Sequence, residues 1–171
     1  VSDDGIDPRL VTLAGEVIAA NRALGRRLVV AESCTGGLVS AALTAIPGSS
    51  DVFEAGFVTY ANSAKINSLR VSTDILETFG AVSIATAWGM AQGALERSEA
   101  DVAVAITGIA GPGGGSTEKP VGSVVFARAK RGENPKDVIA DMKQFGDIGR
   151  GPIRIQAALV ALELLMPGAE P

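Results

Sequence analysis

No histidine occurs among the 171 residues, and that absence excludes more chemistry than any residue present establishes. Without imidazole, a Ser-His-Asp triad, a Cys-His pair and a His-ligated metal are all closed to this subunit. Cysteine is almost as scarce: Cys34 stands alone, so no internal disulfide can form and zinc has no protein-only ligand set. Only an oxygen-ligated magnesium or calcium site stays formally open, and no metal is expected. A lone cysteine agrees with a reducing compartment. Apolar runs are cut by Gly, Ser or charge well short of a bilayer span, and Val1–Pro8 is acidic where a secretory signal would be basic. The expected setting is the cytosol, with no membrane partner. Positive charge is also sparse, 15 Lys and Arg against 19 Asp and Glu for a net charge of −4. The basic residues are scattered and lay no track for a phosphate backbone, so no nucleic-acid partner is expected. Aromatic residues make up 4% of the chain, so the core must be built from small aliphatic side chains, which suits closely packed α/β layers.

What is present alternates helix and strand. Pro8–Leu24 carries Leu10, Leu13, Val17 and Ile18 at helical spacing and stops at Gly25. Arg27–Glu32 is a short apolar strand running into Ser33-Cys34-Thr35-Gly36-Gly37 and a helix over Leu38–Ile46. A strand is expected over Phe53–Tyr60, short helices over Asn62–Arg70 and Thr73–Phe79, and a longer helix over Ser83–Arg97 with Ser83 as its N-cap. Val102–Ile106 is a nearly continuous apolar strand that enters the glycine-rich Gly108–Gly115. Strands over Val121–Ala129 and Val138–Phe145 form a hairpin, and a last helix starts after Gly149. No linker or repeat divides the chain. One domain over residues 1–171 is expected, a three-layer α/β/α sandwich on a mixed, mostly parallel sheet.

In such sheets ligands bind beyond the carboxyl ends of the strands. Two turns there carry hydroxyls and glycines: Glu32–Gly37 and Gly108–Gly115. Taken alone, Ser33 or Thr35 reads first as a plain helix cap and the second loop as a connector, since it fits neither the P-loop nor the dinucleotide pattern; two such loops after core strands of one domain together point to a site. With histidine absent, the base for a serine nucleophile must come from elsewhere. A desolvated lysine can supply it, and Lys65, five residues after the sole tyrosine Tyr60, is the candidate. On spacing alone Lys65 reads as an ordinary exposed helix lysine and Tyr60 as an edge-strand aromatic. Cys34 is a rival nucleophile that ranks behind Ser33, since without a His partner a lone Cys beside a core strand is more often a small buried residue. Arg150 and Arg154, four apart, could grip a phosphate or could be surface charges. Trp88 and Met90 read as core or interface, and with the apolar surplus they raise a homo-oligomer as an expectation.

The stretches Ala31–Gly37, Phe57-Val58-Thr59-Tyr60 with Lys65, Gly80–Ser83, Thr107–Gly114 and Lys119–Gly122 together resemble the CinA C-terminal domain family. The resemblance covers nearly the whole chain. It implies an α/β/α fold, no redox cofactor, and hydrolysis of the carboxamide of nicotinamide mononucleotide to nicotinate mononucleotide and ammonia. It also implies that Ser33 is the nucleophile, with Lys65, Tyr60, Thr107 and an arginine, Arg150 or Arg154, at the site. Thr35, Gly36, Gly37, Gly108, Gly111 and Gly113 are expected around the nucleotide, their backbone N–H groups serving phosphate or oxyanion. Ile84 stands where relatives often carry Glu after the serine, and Gly146–Pro152 differs in detail. Larger members add an N-terminal domain resembling molybdopterin-binding proteins, for which these residues have no room. The alternative expectation is a non-catalytic nucleotide-binding module linked to competence or DNA damage.

Overall fold

The structure is a computed structural model that describes residues 5–169; Val1–Asp4 of the acidic N-terminal stretch lie outside the described residues. Asp7 opens helix α1 (Pro8–Ala23) by accepting from the Arg9 N–H, with Pro8 in the first turn where a missing N–H costs nothing. The chain then runs through β1 (Leu28–Glu32), α2 (Leu38–Thr44), β2 (Phe53–Val58), α3 (Asn62–Leu69), α4 (Thr73–Phe79) and α5 (Ile84–Glu96). It ends with β3 (Val102–Gly108), β4 (Ser123–Lys130), β5 (Ile139–Gln144) and α6 (Arg150–Leu165). Single turns of 3-10 helix at Ser49–Asp51 and Pro135–Asp137 precede β2 and β5.

The five strands form one sheet in the order β2-β1-β3-β4-β5. β1 pairs in parallel with β2 and β3, whereas β4 is antiparallel to both neighbours, so only β4 runs against the rest. The expected mixed, mostly parallel sheet is what forms. Its two faces differ in bulk because strand side chains alternate. Leu28, Val30, Val104, Ile106, Val124 and Phe126 face α1, α2 and α6. Ala31, Ala103, Ala105, Ala127 and Ala129 line the other face against α5. That alanine floor lets α5 lie close, with Ala87, Met90, Ala91 and Ala94 fully buried on it. Trp88 is half-buried, and its indole N–H donates to the Pro135 carbonyl at 3.3 Å. No helix of the described residues is long and apolar enough to cross a membrane.

Gly93 marks where α5 crosses α3: a Cβ there would stand 2.0 Å from the Leu69 carbonyl oxygen. Since backbone cannot step aside as a side chain can, Gly93→Ala is expected to lose stability by about 1–3 kcal/mol, the range for overpacked sites. The gain in helix propensity from Gly to Ala, up to about 1 kcal/mol, is too small to reverse this. Denaturant melts of the two proteins check it.

Two strand ends depart from the sequence expectation for identifiable reasons. β2 stops at Val58 because the carbonyls of Thr59 and Tyr60 turn toward the Lys65 amine. β4 starts at Ser123 because Gly122, at φ +94°, makes a turn against Gly146 that a side chain would block at 2.4 Å.

Candidate active site

Ser33 follows the central strand β1 directly, and its neighbours pin it there. Its own N–H donates to the Ile106 carbonyl of β3 at 2.9 Å, and the Thr59 N–H donates to the Glu32 carbonyl at 2.9 Å. The first contact continues β1 by one residue and the second continues β2 by one. The Ser33 hydroxyl therefore stands at the carboxyl end of the sheet between β2 and β3.

The chain next turns through Cys34–Gly37 into α2, and neither Ser33 nor Thr35 caps that helix. No side chain of the cap residue Gly37 can do so, and the task falls to Glu32. Its fully buried carboxylate accepts from the N–H groups of Gly37 (3.1 Å), Val39 (3.2 Å) and Ser40 (2.8 Å), and from the Ser40 hydroxyl at 2.8 Å. A buried carboxylate without a cation survives because four donors and the positive end of the helix replace its water. Gly56 of β2 makes room for this arrangement, since a Cβ there would sit 2.2 Å from the Ser40 hydroxyl.

Lys65 comes from α3 and is only 1% exposed. Its ammonium donates to Ser33 Oγ at 2.9 Å, to the Thr59 carbonyl at 2.8 Å and to the Tyr60 carbonyl at 3.3 Å. None of these partners is a carboxylate. Burial accordingly pushes its pKa below the ordinary lysine value, opposed only in part by Cys34. Cys34 is driven the other way: burial raises the thiol to about 11, so at neutral pH it holds its proton.

Ser33, Cys34, Tyr60, Lys65, Ala81, Val82, Thr107, Gly108, Ala110 and Arg150 line one cavity of about 170 Å3 that bears two cations and no acidic side chain. Tyr60 is more than half exposed at its mouth. Arg150, the first residue of α6, donates to the Tyr60 hydroxyl at 2.6 Å and to the Gly111 carbonyl at 2.8 Å, tying two walls together. The Tyr60 phenol is thus engaged by Arg150, and Lys65 reaches Ser33 without it. Thr107 donates its hydroxyl to the Ala81 carbonyl at 2.8 Å and so holds the wall formed by Ala81 and Val82. That wall is fixed a second time at Ser83, which caps α5 by accepting from the Thr86 N–H and donates to the Gly80 carbonyl.

The remaining residues expected at the site lie around this cavity. The N–H groups of Gly36 and Gly37 are already spent on the Ser33 carbonyl and on Glu32. Thr35 is fully buried, with a hydroxyl that finds no partner. Gly111 contributes the carbonyl held by Arg150. Gly113 lines a neighbouring open groove with Gly114, Gly115, Gln144 and Asp147. Arg154 faces the back of the Cys34–Gly37 turn and donates to the carbonyls of Cys34 and Thr35. Glu32, Ala81, Val82 and Ala110 carry no role in the sequence reading. Only Glu32 has a signal there, a lone acid closing an otherwise apolar strand.

Comparison with known proteins gives this architecture a family. A nicotinamide-nucleotide amidohydrolase, PncC, of Enterobacter agglomerans is 48% identical over 92% of this chain and 93% of its own length. A CinA-like protein of Akkermansia muciniphila is 58% identical over 62% of this chain, which spans only 26% of that longer relative. The crystal structure of the competence/damage inducible protein CihA from Agrobacterium tumefaciens superposes with a TM-score of 0.89 at 52% identity, covering 94% of this chain and 95% of that one. The CinA C-terminal domain model matches residues 10–168, and the chain belongs to that family.

Proposed function

We propose that this protein hydrolyses the carboxamide of nicotinamide mononucleotide to nicotinate mononucleotide and ammonia, with Ser33 as nucleophile and Lys65 as its base. The observation that carries the mechanism is the 2.9 Å contact between the Ser33 hydroxyl and a buried lysine that has no carboxylate partner. Similarity to the amidohydrolase over nearly the full length of both chains supports the substrate.

A neutral Lys65 fits its surroundings atom by atom. Its two N–H groups go to the carbonyls of Thr59 and Tyr60, and its lone pair faces the Ser33 O–H. As Ser33 Oγ bonds to the amide carbon, the hydroxyl proton moves to Lys65 Nζ, and the C–N bond then breaks as that ammonium returns the proton to the leaving nitrogen. Water, deprotonated by the same amine, cleaves the acyl-enzyme and restores the serine. The nucleotide phosphate is drawn to a cavity walled by the cationic Arg150 and by no acidic side chain, although the chain as a whole is acidic.

A coupled assay for ammonia from nicotinamide mononucleotide tests the reading. Absence of release by folded protein would sink it and leave the non-catalytic binding module. In the same assay Cys34→Ala is expected to keep its turnover within about threefold of wild type, because a thiol titrating near 11 supplies no thiolate at neutral pH. A folded but inactive Cys34→Ala would move the nucleophile to sulfur.

A further inference from the structure

Arg150 and Arg154 lie one turn apart on α6, yet they serve different ends. Arg154 donates through Nε to the Cys34 carbonyl at 3.1 Å and through Nη2 to the Thr35 carbonyl at 2.9 Å. Among the described residues no carboxylate pairs with it. Its charge is spent on two consecutive carbonyls of the nucleophile turn. Gly36 is what admits it, since a Cβ there would come within 3.2 Å of Nη2.

The consequence follows from peptide geometry. In a trans peptide the carbonyl of one residue and the N–H of the next point in opposite directions. Holding the Cys34 carbonyl on α6 therefore aims the Thr35 N–H away from α6. On the Ser33 side, the Gly36 N–H binds the Ser33 carbonyl at 3.0 Å, which orients the Cys34 N–H in the same manner. The Leu38 N–H is taken by the Thr35 carbonyl, and Glu32 takes those of Gly37, Val39 and Ser40. Among the described residues, the N–H groups from Ser33 through Ser40 that have no acceptor on another residue are those of Cys34 and Thr35; the Cys34 N–H meets only its own thiol, and Cys34 lines the cavity over Ser33.

We infer that Arg154 is a positioning residue of the oxyanion site: its hold on the Cys34 carbonyl fixes the Thr35 N–H, its hold on the Thr35 carbonyl fixes the Gly36 N–H on the Ser33 carbonyl and through that peptide the Cys34 N–H, and the N–H groups of Cys34 and Thr35 are thereby kept ready for the oxyanion formed on Ser33 attack. The inference rests on the amidase reading above. It makes the cradle a property of the turn itself and not of the α2 N-terminus, whose donors Glu32 has consumed. The guanidinium also acts through charge, since a cation at the carbonyl end of a peptide polarises it and strengthens the N–H at the other end as a donor. It is a different role from phosphate binding, and the two predict different kinetics.

The test uses Arg154→Met, Arg154→Lys and Arg154→Ala in two assays: steady-state hydrolysis of nicotinamide mononucleotide, and capture of Ser33 by a small fluorophosphonate that carries no nucleotide. A clamp predicts a fall in kcat of about 10²–10³-fold for each variant, the cost of losing an oxyanion donor, with KM within about threefold of wild type. Lysine should not substitute, because one nitrogen on a shorter stem cannot reproduce the separate Nε and Nη2 donors of the planar guanidinium at the same reach. Fluorophosphonate capture should slow alongside kcat, and millimolar guanidinium should restore part of the Arg154→Ala rate, which a merely unstable protein would not show. A rise in KM at unchanged kcat would overturn the clamp in favour of a phosphate ligand, and unchanged kinetics would overturn it outright. If wild type releases no ammonia while Arg154→Met still slows capture of Ser33, the substrate reading fails and the clamp stands. No capture by wild-type Ser33 would overturn both.

Discussion

Ser33→Ala is expected to fold, to bind nicotinamide mononucleotide and to release almost no ammonia, with kcat down by about 10⁴–10⁶-fold, as when a serine nucleophile is removed and the rest of the site is kept. The structural cost is small because the residue is held by its backbone: the Ser33 N–H to Ile106 and the Ser33 carbonyl to Gly36 both survive the change. Only the hydroxyl contact with Lys65 disappears, worth about 1 kcal/mol in stability. Had Ser33 been a helix cap, the loss would fall on stability and the folded fraction would stay active. Glu32 holds α2 instead, so stability and activity should separate in this variant. Calorimetric binding of the mononucleotide combined with single-turnover ammonia release measures both. Near-wild-type turnover by folded Ser33→Ala would end the covalent mechanism.

The order of elements and their approximate limits are legible in the sequence because local signals agree there. Pro8 opens and Gly25 closes α1, Ser83 caps α5, and Val102–Ile106 is apolar enough to be buried on both faces. The alternation that makes one face of the sheet alanine is equally visible, but its meaning is not. That alanines at 31, 103, 105, 127 and 129 meet a single helix depends on strand order, which no local pattern encodes.

The site divides along the same line. Ser33 and the glycines announce themselves by composition and by their place after a strand. Lys65 does not: on sequence it is one lysine among polar neighbours on a short helix. It comes to stand at the serine only because β2 lies beside β1, so that α3 returns its amine over the Ser33 hydroxyl. Arg150 and Arg154 show the limit most plainly. Their spacing of four predicts a common direction along the helix, yet one reaches Tyr60 across the cavity and the other the back of the turn. Spacing sets which face of α6 they share, and the chain folded against that face decides what each one holds. Glu32 has the opposite character, since an acid closing a buried strand is conspicuous, but its four donors come from residues five to eight positions on, around a turn whose course the sequence does not spell out.

Substitution at Lys65 should produce the other large effect, and in two directions at once. As a general base, Lys65 must shed its proton before Ser33 can react, so kcat/KM should rise with pH through the lowered pKa of this amine and then level off below 10.5, the ordinary lysine value. Lys65→Met, which keeps the apolar stem, should lose about 10²–10⁴-fold in acylation, the usual contribution of a positioned base. Lys65→Arg should be as inactive, since guanidinium keeps its proton throughout this range. Activity in Lys65→Arg would instead show that positive charge alone suffices. Stability should move the other way. Folding lowers the pKa of Lys65, so between the lowered value and 10.5 the unfolded chain binds more protons and wild-type stability rises with pH. Below the lowered pKa the penalty for burying this amine is complete. Methionine at position 65 carries no such penalty. The variant should therefore resist denaturant better than wild type at neutral pH, by a margin that shrinks as pH climbs toward 10.5. Paired denaturant melts at several pH values read this margin directly: a margin independent of pH would mean that folding does not lower the pKa of Lys65, and the base would have to be sought in another group.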